Sequence, residues 1–201
     1  MKKIVITQRF EKIGRFNEVR DNIDSKLPSL IQKLGFTPVL VPNNLNNLNK
    51  FIKQISPKGV ILSGGGDPLK KDSRYITENK LIKISINKNI PIIGICRGAQ
   101  ALNIFFGGKL KRVANHVRKH HRIYGPLVKN MNIKVNSYHD LGFFENTLGK
   151  NLELLAYSSD KVIKSFSHNK LKVLGIMWHP ERYKKIKNFD KNLIKNFFHK
   201  Y

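Results

Sequence analysis

The segment Ile92-Ile93-Gly94-Ile95-Cys96-Arg97-Gly98-Ala99-Gln100 holds the one cysteine of the chain. An apolar stretch runs into a turn of small residues, and a helical pattern follows. This is the pattern of a nucleophile elbow, with Cys where α/β hydrolases carry Ser. Such a turn needs glycine on either side, because its backbone is strained and a neighbouring chain lies close. A thiol placed there sits at a helix N-terminus, where backbone N–H groups and the helix dipole favour thiolate. Plain packing is the alternative, since free cysteines are often buried.

Two further segments shift that balance. In Gly175-Ile176-Met177-Trp178-His179-Pro180-Glu181 a strand runs out to a histidine, with an acid two residues later. His179 can take a thiol proton and later protonate a leaving group. Glu181 can hold the imidazole in the required tautomer. Pro180 ends the ladder and turns the chain so that the two side chains can meet. In Ser63-Gly64-Gly65-Gly66-Asp67 three glycines let backbone N–H groups approach a ligand, as an oxyanion hole requires. No Gly-Lys-Ser/Thr follows, which argues against a nucleotide P-loop.

The elements that must carry these segments read as alternating strands and helices. Strands are expected at Lys3–Thr7, Thr37–Pro42, Gly59–Ser63 and Ile90–Ile95. Helices are expected at Asn22–Leu34, Leu45–Ile55, Arg74–Asn87 (through Ile76, Leu81 and Ile84) and Ala99–Phe106. That alternation implies a parallel sheet covered on both faces, with the three segments at strand ends, where such sheets form their binding crevice. Shorter strands, partly hairpins, are expected at Val113–Val117, Leu127–Val135, Leu152–Tyr157, Val162–Ser167 and Val173–Trp178, and a last helix at Asp190–Phe198.

A length of 201 residues suits one domain, 1–201, with a sizeable core. No apolar run reaches membrane-spanning length. The start, Met1 to Thr7, reads as a strand rather than a signal peptide. A lone cysteine excludes an internal disulfide and fits a reducing compartment, hence the cytoplasm. The net charge is +25. Codon bias toward Lys, Asn and Ile is the leading explanation, because the lysines are scattered: Lys33, Lys83 and Lys164 lie in different segments. An anionic small substrate comes next. Nucleic acid comes last, since no aromatic-basic RNA motif accompanies the charge.

Taken together, these motifs resemble the class I glutamine amidotransferase-like superfamily, and within it the peptidase C26 group of γ-glutamyl hydrolases. The resemblance rests on Leu62 to Asp67, Gly94 to Gln100 with Leu102-Asn103 and Gly107-Gly108, Val135 to His139, and His179-Pro180-Glu181. It implies a three-layer, flavodoxin-like α/β fold with a mostly parallel central sheet and a small antiparallel sheet in the second half. It implies a Cys96-His179-Glu181 triad. It also implies oxyanion donors on the backbone of Gly65 or Gly66 and of Arg97, and glutamyl-binding groups at Gln100, Asn136, Ser137, Tyr138 and His139. The implied reaction is hydrolysis of a γ-glutamyl amide through a thioester, without metal or cofactor. The implied partner is a small, anionic γ-glutamyl substrate, not nucleic acid or membrane; a homodimer stays open.

Two departures bear on the leaving group. Asp140-Leu141 stands where the family continues to Gln, and the stretch Lys109 to Arg122 is short and basic. Its histidines, His116, His120 and His121, lack thiolate or carboxylate partners in sequence and read as solvated or anion-facing rather than metal ligands. A cationic rim suits a phosphate or carboxylate, and the small, Lys- and Asn-rich chain resembles the γ-glutamyl hydrolases of capsule biosynthesis; that resemblance, with the charge, implies a γ-glutamyl-CDP-amidate cut to cytidine diphosphoramidate as the leading substrate. A γ-glutamyl-γ-aminobutyrate type of amide is the alternative. Two rivals differ in kind: a glutaminase subunit that passes ammonia to a synthetase, and a basic nucleic-acid-binding protein with a dead fold.

Overall fold

The computed structural model describes residues 2–14 and 18–200. Met1, part of the expected first strand, lies outside them. The first half alternates as expected: β1 (Lys3–Thr7), α1 (Lys26–Lys33), β4 (Thr37–Val41), α2 (Leu48–Ile55), β5 (Gly59–Leu62), α3 (Ser73–Asn87), β6 (Ile92–Ile95) and α4 (Arg97–Phe105). Between β1 and α1 lies a hairpin that the sequence pattern does not announce, β2 (Arg9–Ile13) and β3 (Glu18–Asn22). Helix α1 therefore starts at Lys26, not at Asn22, which belongs to β3. Asn47 and Asp72 cap α2 and α3 by accepting from the N–H groups of Lys50 and Tyr75.

The second half holds β7 (Lys111–Arg112), β8 (Val117–Tyr124), β9 (Lys134–Tyr138), β10 (Leu141–Gly142), β11 (Leu152–Ser158), β12 (Ile163–His168), β13 (Val173–Ile176) and α5 (Asn188–Lys200). The strands expected at Val113–Val117 and Leu127–Val135 are corrected. Residues 113 to 116 are irregular, and Pro126–Val128 forms a 3-10 turn. The basic stretch instead supplies β8, whose polar residues face water and so give no apolar alternation to read.

The large sheet has the order β4-β1-β5-β6-β13-β12-β11-β8-β9. β4 through β13 run parallel, and the remaining strands join the same sheet antiparallel. Two small antiparallel pairs, β2-β3 and β7-β10, stand apart. Strand alternation divides the core. Ile4, Ile6, Ile61, Ile93, Ile95, Leu174 and Ile176 point to one face, with Leu27 and Ile31 of α1 and Ile194 and Phe198 of α5. Val5, Val60, Leu62, Ile92 and Val173 point to the other, with side chains of α2, α3 and α4. Helix, sheet and helix thus form three layers, the architecture that the motifs imply. Burying each such side chain contributes roughly 1.5–3 kcal/mol.

The C-terminal ends of β5, β6 and β13 lie side by side, and from them emerge the glycine loop, Cys96 and His179. Among the described residues, no helix is long and apolar enough to cross a membrane.

Candidate active site

Cys96 ends β6 and caps α4 with φ 49° and ψ −103°, a conformation that L-residues rarely adopt. The turn is held from both sides. The Cys96 N–H donates to the Ile176 carbonyl at 2.7 Å, and the Gln100 N–H donates to the Cys96 carbonyl at 3.0 Å. The flanking glycines are required by space. A Cβ on Gly94 would sit 2.5 Å from the Gly98 backbone, and one on Gly98 would run into the Leu62 carbonyl. As the first residue of α4, Arg97 carries an N–H that is among the donors a helix cannot satisfy internally. Cys96 itself is 4% exposed.

His179 leaves β13 beside it. The imidazole Nδ1 and Glu181 Oε1 are 2.6 Å apart, so Nδ1–H donates to the carboxylate. That leaves Nε2 facing the crevice that His179 and Cys96 line together. Burial alone would lower the His179 pKa. Interaction with Cys96, joined by the hydrogen bond and charge of Glu181, outweighs it and raises the pKa to about 9. The ring is therefore an imidazolium at neutral pH. Asn136 clamps the His179 backbone twice, donating to its carbonyl at 2.9 Å and accepting from its N–H at 2.8 Å. Trp178, one residue earlier, is anchored by donating to Asp190 at 2.7 Å.

The glycine loop completes the site. Gly65 and Gly66 both have left-handed backbones, with φ 81° and 82°. Arg74 donates to the carbonyls of Gly65 and Ser63, each at 2.6 Å, and Arg9 donates to that of Gly64 at 3.3 Å. With these carbonyls held by guanidinium groups, the loop's N–H groups remain for a ligand. Gly64 packs on His179: a Cβ there would lie 2.6 Å from the imidazole Cε1. Gly64→Ala is therefore expected to lower kcat by about 10- to 100-fold through displacement of the ring. Steady-state kinetics together with a thermal melt check this: kcat should fall far more than stability.

The segments meet at a crevice of about 120 Å³. Cys96, His179, Gly65, Gly66, Arg97, Gln100, Tyr138 and His139 line it. Asn136 and Ser137 do not. Asn136 serves the His179 backbone, and the Ser137 hydroxyl accepts from Lys164 at 2.7 Å. Gln100 donates to the Leu141 carbonyl at 2.6 Å, which leaves its side-chain oxygen as an acceptor. A larger apolar groove, of about 790 Å³ beside α5, contains none of these residues.

Several groups at the site are not evident from the sequence alone. Glu78, buried under the elbow, pairs with Arg74 at 2.9 Å and with Arg97, and accepts from Thr7 at 3.0 Å. Burial lowers both guanidinium pKa values, to about 10 for Arg74 and about 9 for Arg97, yet both stay charged at neutral pH. A signal is present: Arg74, Thr77 and Glu78 continue the buried face of α3 that Leu81, Ile82 and Ser85 follow, while Ile76, expected in the apolar repeat, is half exposed. Arg182 lines the crevice and stacks on Tyr138, its guanidinium carbon 4.4 Å from the ring centroid.

The solvated or anion-facing reading of the histidines needs correction at His116. It is fully buried, with Nε2 2.7 Å from Asp160 Oδ2, because β8 pairs with β9 and folds the preceding residues inward. Lys164, expected among the scattered lysines of codon bias, is also fully buried. Among the described residues, no three His, Cys, Asp or Glu side chains form a group that could hold a metal ion.

Comparison with known proteins bears on this geometry. A family model described as glutamine amidotransferase class-I matches residues 18–201. A γ-glutamyl-CDP-amidate hydrolase of Campylobacter jejuni is 31% identical, over 97% of this chain and 96% of its own. The glutamine-hydrolyzing GMP synthase subunit of Methanococcus vannielii is 30% identical over 72% of this chain and 75% of its own. Among solved structures, a candidate GMP synthase subunit from Thermoplasma acidophilum superposes with a TM-score of 0.75 at 20% identity, covering 99% of this chain and 93% of that one.

Proposed function

The chain belongs to the class I glutamine amidotransferase family and is a C–N amidohydrolase, and on that premise we propose that it hydrolyses a γ-glutamyl amide with Cys96 as nucleophile. The observation that carries this reading is the crevice that joins Cys96, on a strained elbow, to a His179 held by Glu181, beside a glycine loop. Sγ attacks the γ-carbonyl and a C–S bond forms. The N–H groups of Gly65 or Gly66 and of Arg97 take the developing oxyanion. Collapse breaks the C–N bond as the His179 imidazolium gives its proton to the departing nitrogen. His179, now neutral, removes a proton from water, which attacks the thioester. The C–S bond breaks, and glutamate leaves. Glu181 holds the ring throughout. Gln100, Tyr138 and His139 bind the glutamyl part directly, and Asn136 and Ser137 support them from behind. The reaction needs no metal or cofactor, and residues 1–201 act as one cytoplasmic domain of the peptidase C26 type.

For the leaving group, the best-supported substrate is a γ-glutamyl-CDP-amidate, cut to cytidine diphosphoramidate for capsule biosynthesis. The support is the Campylobacter jejuni relative, which spans nearly the whole chain. Arg182 at the crevice and Arg9 against Gly65 add to it, as cations beside the site that suit a diphosphate. The Methanococcus relative favours a second reading, a glutaminase that passes ammonia to a synthetase partner. Released glutamate, measured on the isolated protein with a panel of γ-glutamyl amides, separates them. Preference for the nucleotide-linked amide supports the first reading. Glutamine hydrolysis seen only with a synthetase present supports the second.

The raised pKa of His179 sets the pH dependence. The imidazolium is the proton donor, so kcat/KM is expected to fall as pH rises through about 9. Folding follows the same sign: the ion pair's stabilisation is complete below the ordinary histidine pKa of about 6.5 and is lost as pH rises through the folded value. Glu181→Gln removes one of the groups that raise this pKa, so the alkaline limb should move to lower pH while kcat drops. A pH–rate profile of both proteins checks this.

A further inference from the structure

Lys164 lies in β12 between Ile163 and Ser165, and its side chain is wholly removed from solvent. Burying an ammonium costs several kcal/mol unless it is well compensated. Here the compensation is unusual, because no carboxylate touches it. The three N–H groups have three neutral acceptors: His116 Nδ1 at 2.7 Å, Ser137 Oγ at 2.7 Å and His139 Nε2 at 3.1 Å.

The hydrogen-bond polarity of this cluster is fully determined. Asp160 can only accept, so His116 donates from Nε2 at 2.7 Å and must accept at Nδ1. His139 donates from Nδ1 to the Leu141 carbonyl at 2.9 Å, so its Nε2 must accept. The same carbonyl accepts from Gln100. One buried ammonium therefore fixes the tautomer of His139 and, through Leu141, is linked to Gln100. Both side chains line the crevice. Burial, with the positive charge of Lys164, holds the His139 pKa down to about 2, so its ring stays neutral.

The cluster backs the crevice that Cys96 lines, because His139 belongs to both. The titratable groups around Lys164 are Asp160, His116, His121, His139 and Cys96. Asp160 is met only through neutral His116, so the field of the ammonium is not cancelled at contact. In a water-poor interior it would act on a thiolate formed at Cys96, which lines the same crevice as the His139 that Lys164 holds.

We propose that Lys164 is a positioning residue of this site: a buried ammonium that fixes Ser137 and His139 behind the crevice and favours the thiolate of Cys96. This rests on the hydrolase reading for the role of Cys96. Burial lowers the Lys164 pKa to about 7, with Asp160 and Cys96 opposing the shift, so the effect belongs to neutral and acid pH and fades as pH rises.

The test is the rate of Cys96 alkylation by iodoacetamide from pH 5 to 10 without substrate, alongside KM for a γ-glutamyl amide. Lys164→Met is expected to slow alkylation about tenfold at pH 6, to converge with the unsubstituted protein above neutrality, and to raise KM. Asp160→Asn, at a half-exposed position that should fold normally, is expected to shift the profile in the same direction by about threefold, because Lys164 then gives up its proton more easily. A purely structural lysine would lower the melting temperature and leave the alkylation profile in place. Folded Lys164→Met and Asp160→Asn proteins with unmoved profiles would overturn the proposal. If Lys164→Met does not fold, Asp160→Asn decides alone. An unsubstituted protein whose Cys96 takes no label at any pH would instead contradict the hydrolase reading.

Discussion

Cys96→Ser is expected to lower kcat/KM by about 10⁴-fold or more while the fold stays intact. The sulfur sits on a backbone at φ 49°, held by hydrogen bonds of its own N–H and carbonyl rather than of its side chain. Replacing sulfur with oxygen therefore disturbs little of the packing. It does remove the group that can stand as an anion beside an imidazolium, because a serine hydroxyl does not ionise there. With attack abolished, only binding and the oxyanion donors remain to assist water, and such residual assistance is small. Released glutamate measures the loss, and circular dichroism with a thermal melt checks the fold. A Cys96→Ser protein that keeps full activity would move the chemistry elsewhere.

The largest effect on stability is expected at Glu78. Its carboxylate is 1% exposed and faces two arginines that are themselves nearly excluded from water. Glu78→Gln keeps the shape but leaves both guanidinium charges buried without a counter-ion, which costs about 3–5 kcal/mol. The damage should not stay local. Arg74 holds the carbonyls of Ser63 and Gly65, Arg97 opens α4 beside Cys96, and Thr7 joins Glu78 to the Ser63 N–H at 3.0 Å. One carboxylate thus ties the glycine loop to the elbow. Urea unfolding measures the loss of stability, and the surviving folded fraction should also show reduced kcat. A Glu78→Gln protein as stable as its parent would show that the two arginines are compensated by other groups.

What the sequence makes legible follows the kind of burial involved. β5 and β6 are buried on both faces, so Val60-Ile61-Leu62 and Ile92-Ile93 announce themselves as apolar runs. The elbow is legible because glycine at 94 and 98 is a steric demand visible as residue type. The hairpin β2-β3 and the strand β8 are not legible, because both are largely polar and solvent-facing, and only pairing with neighbouring strands makes them strands. Buried charge is the hardest to read. Arg74 and Glu78 look like an ordinary surface pair one helical turn apart until the helix is packed against the loop. Lys164 looks like composition until β12 is placed between β11 and β13 and its side chain finds Ser137, His116 and His139. Spacing brings Cys96, His179 and Glu181 into view; the charges that support them become visible only with the fold.

The most direct measurement is peptide mass spectrometry of protein quenched in acid during turnover of a γ-glutamyl amide. One γ-glutamyl group is expected as a thioester on the peptide containing Cys96, absent from Cys96→Ser and diminished when His179 is replaced, because acylation itself needs the imidazolium as proton donor. Full turnover with no adduct on Cys96 under any quench, or an adduct on another residue, would contradict that expectation.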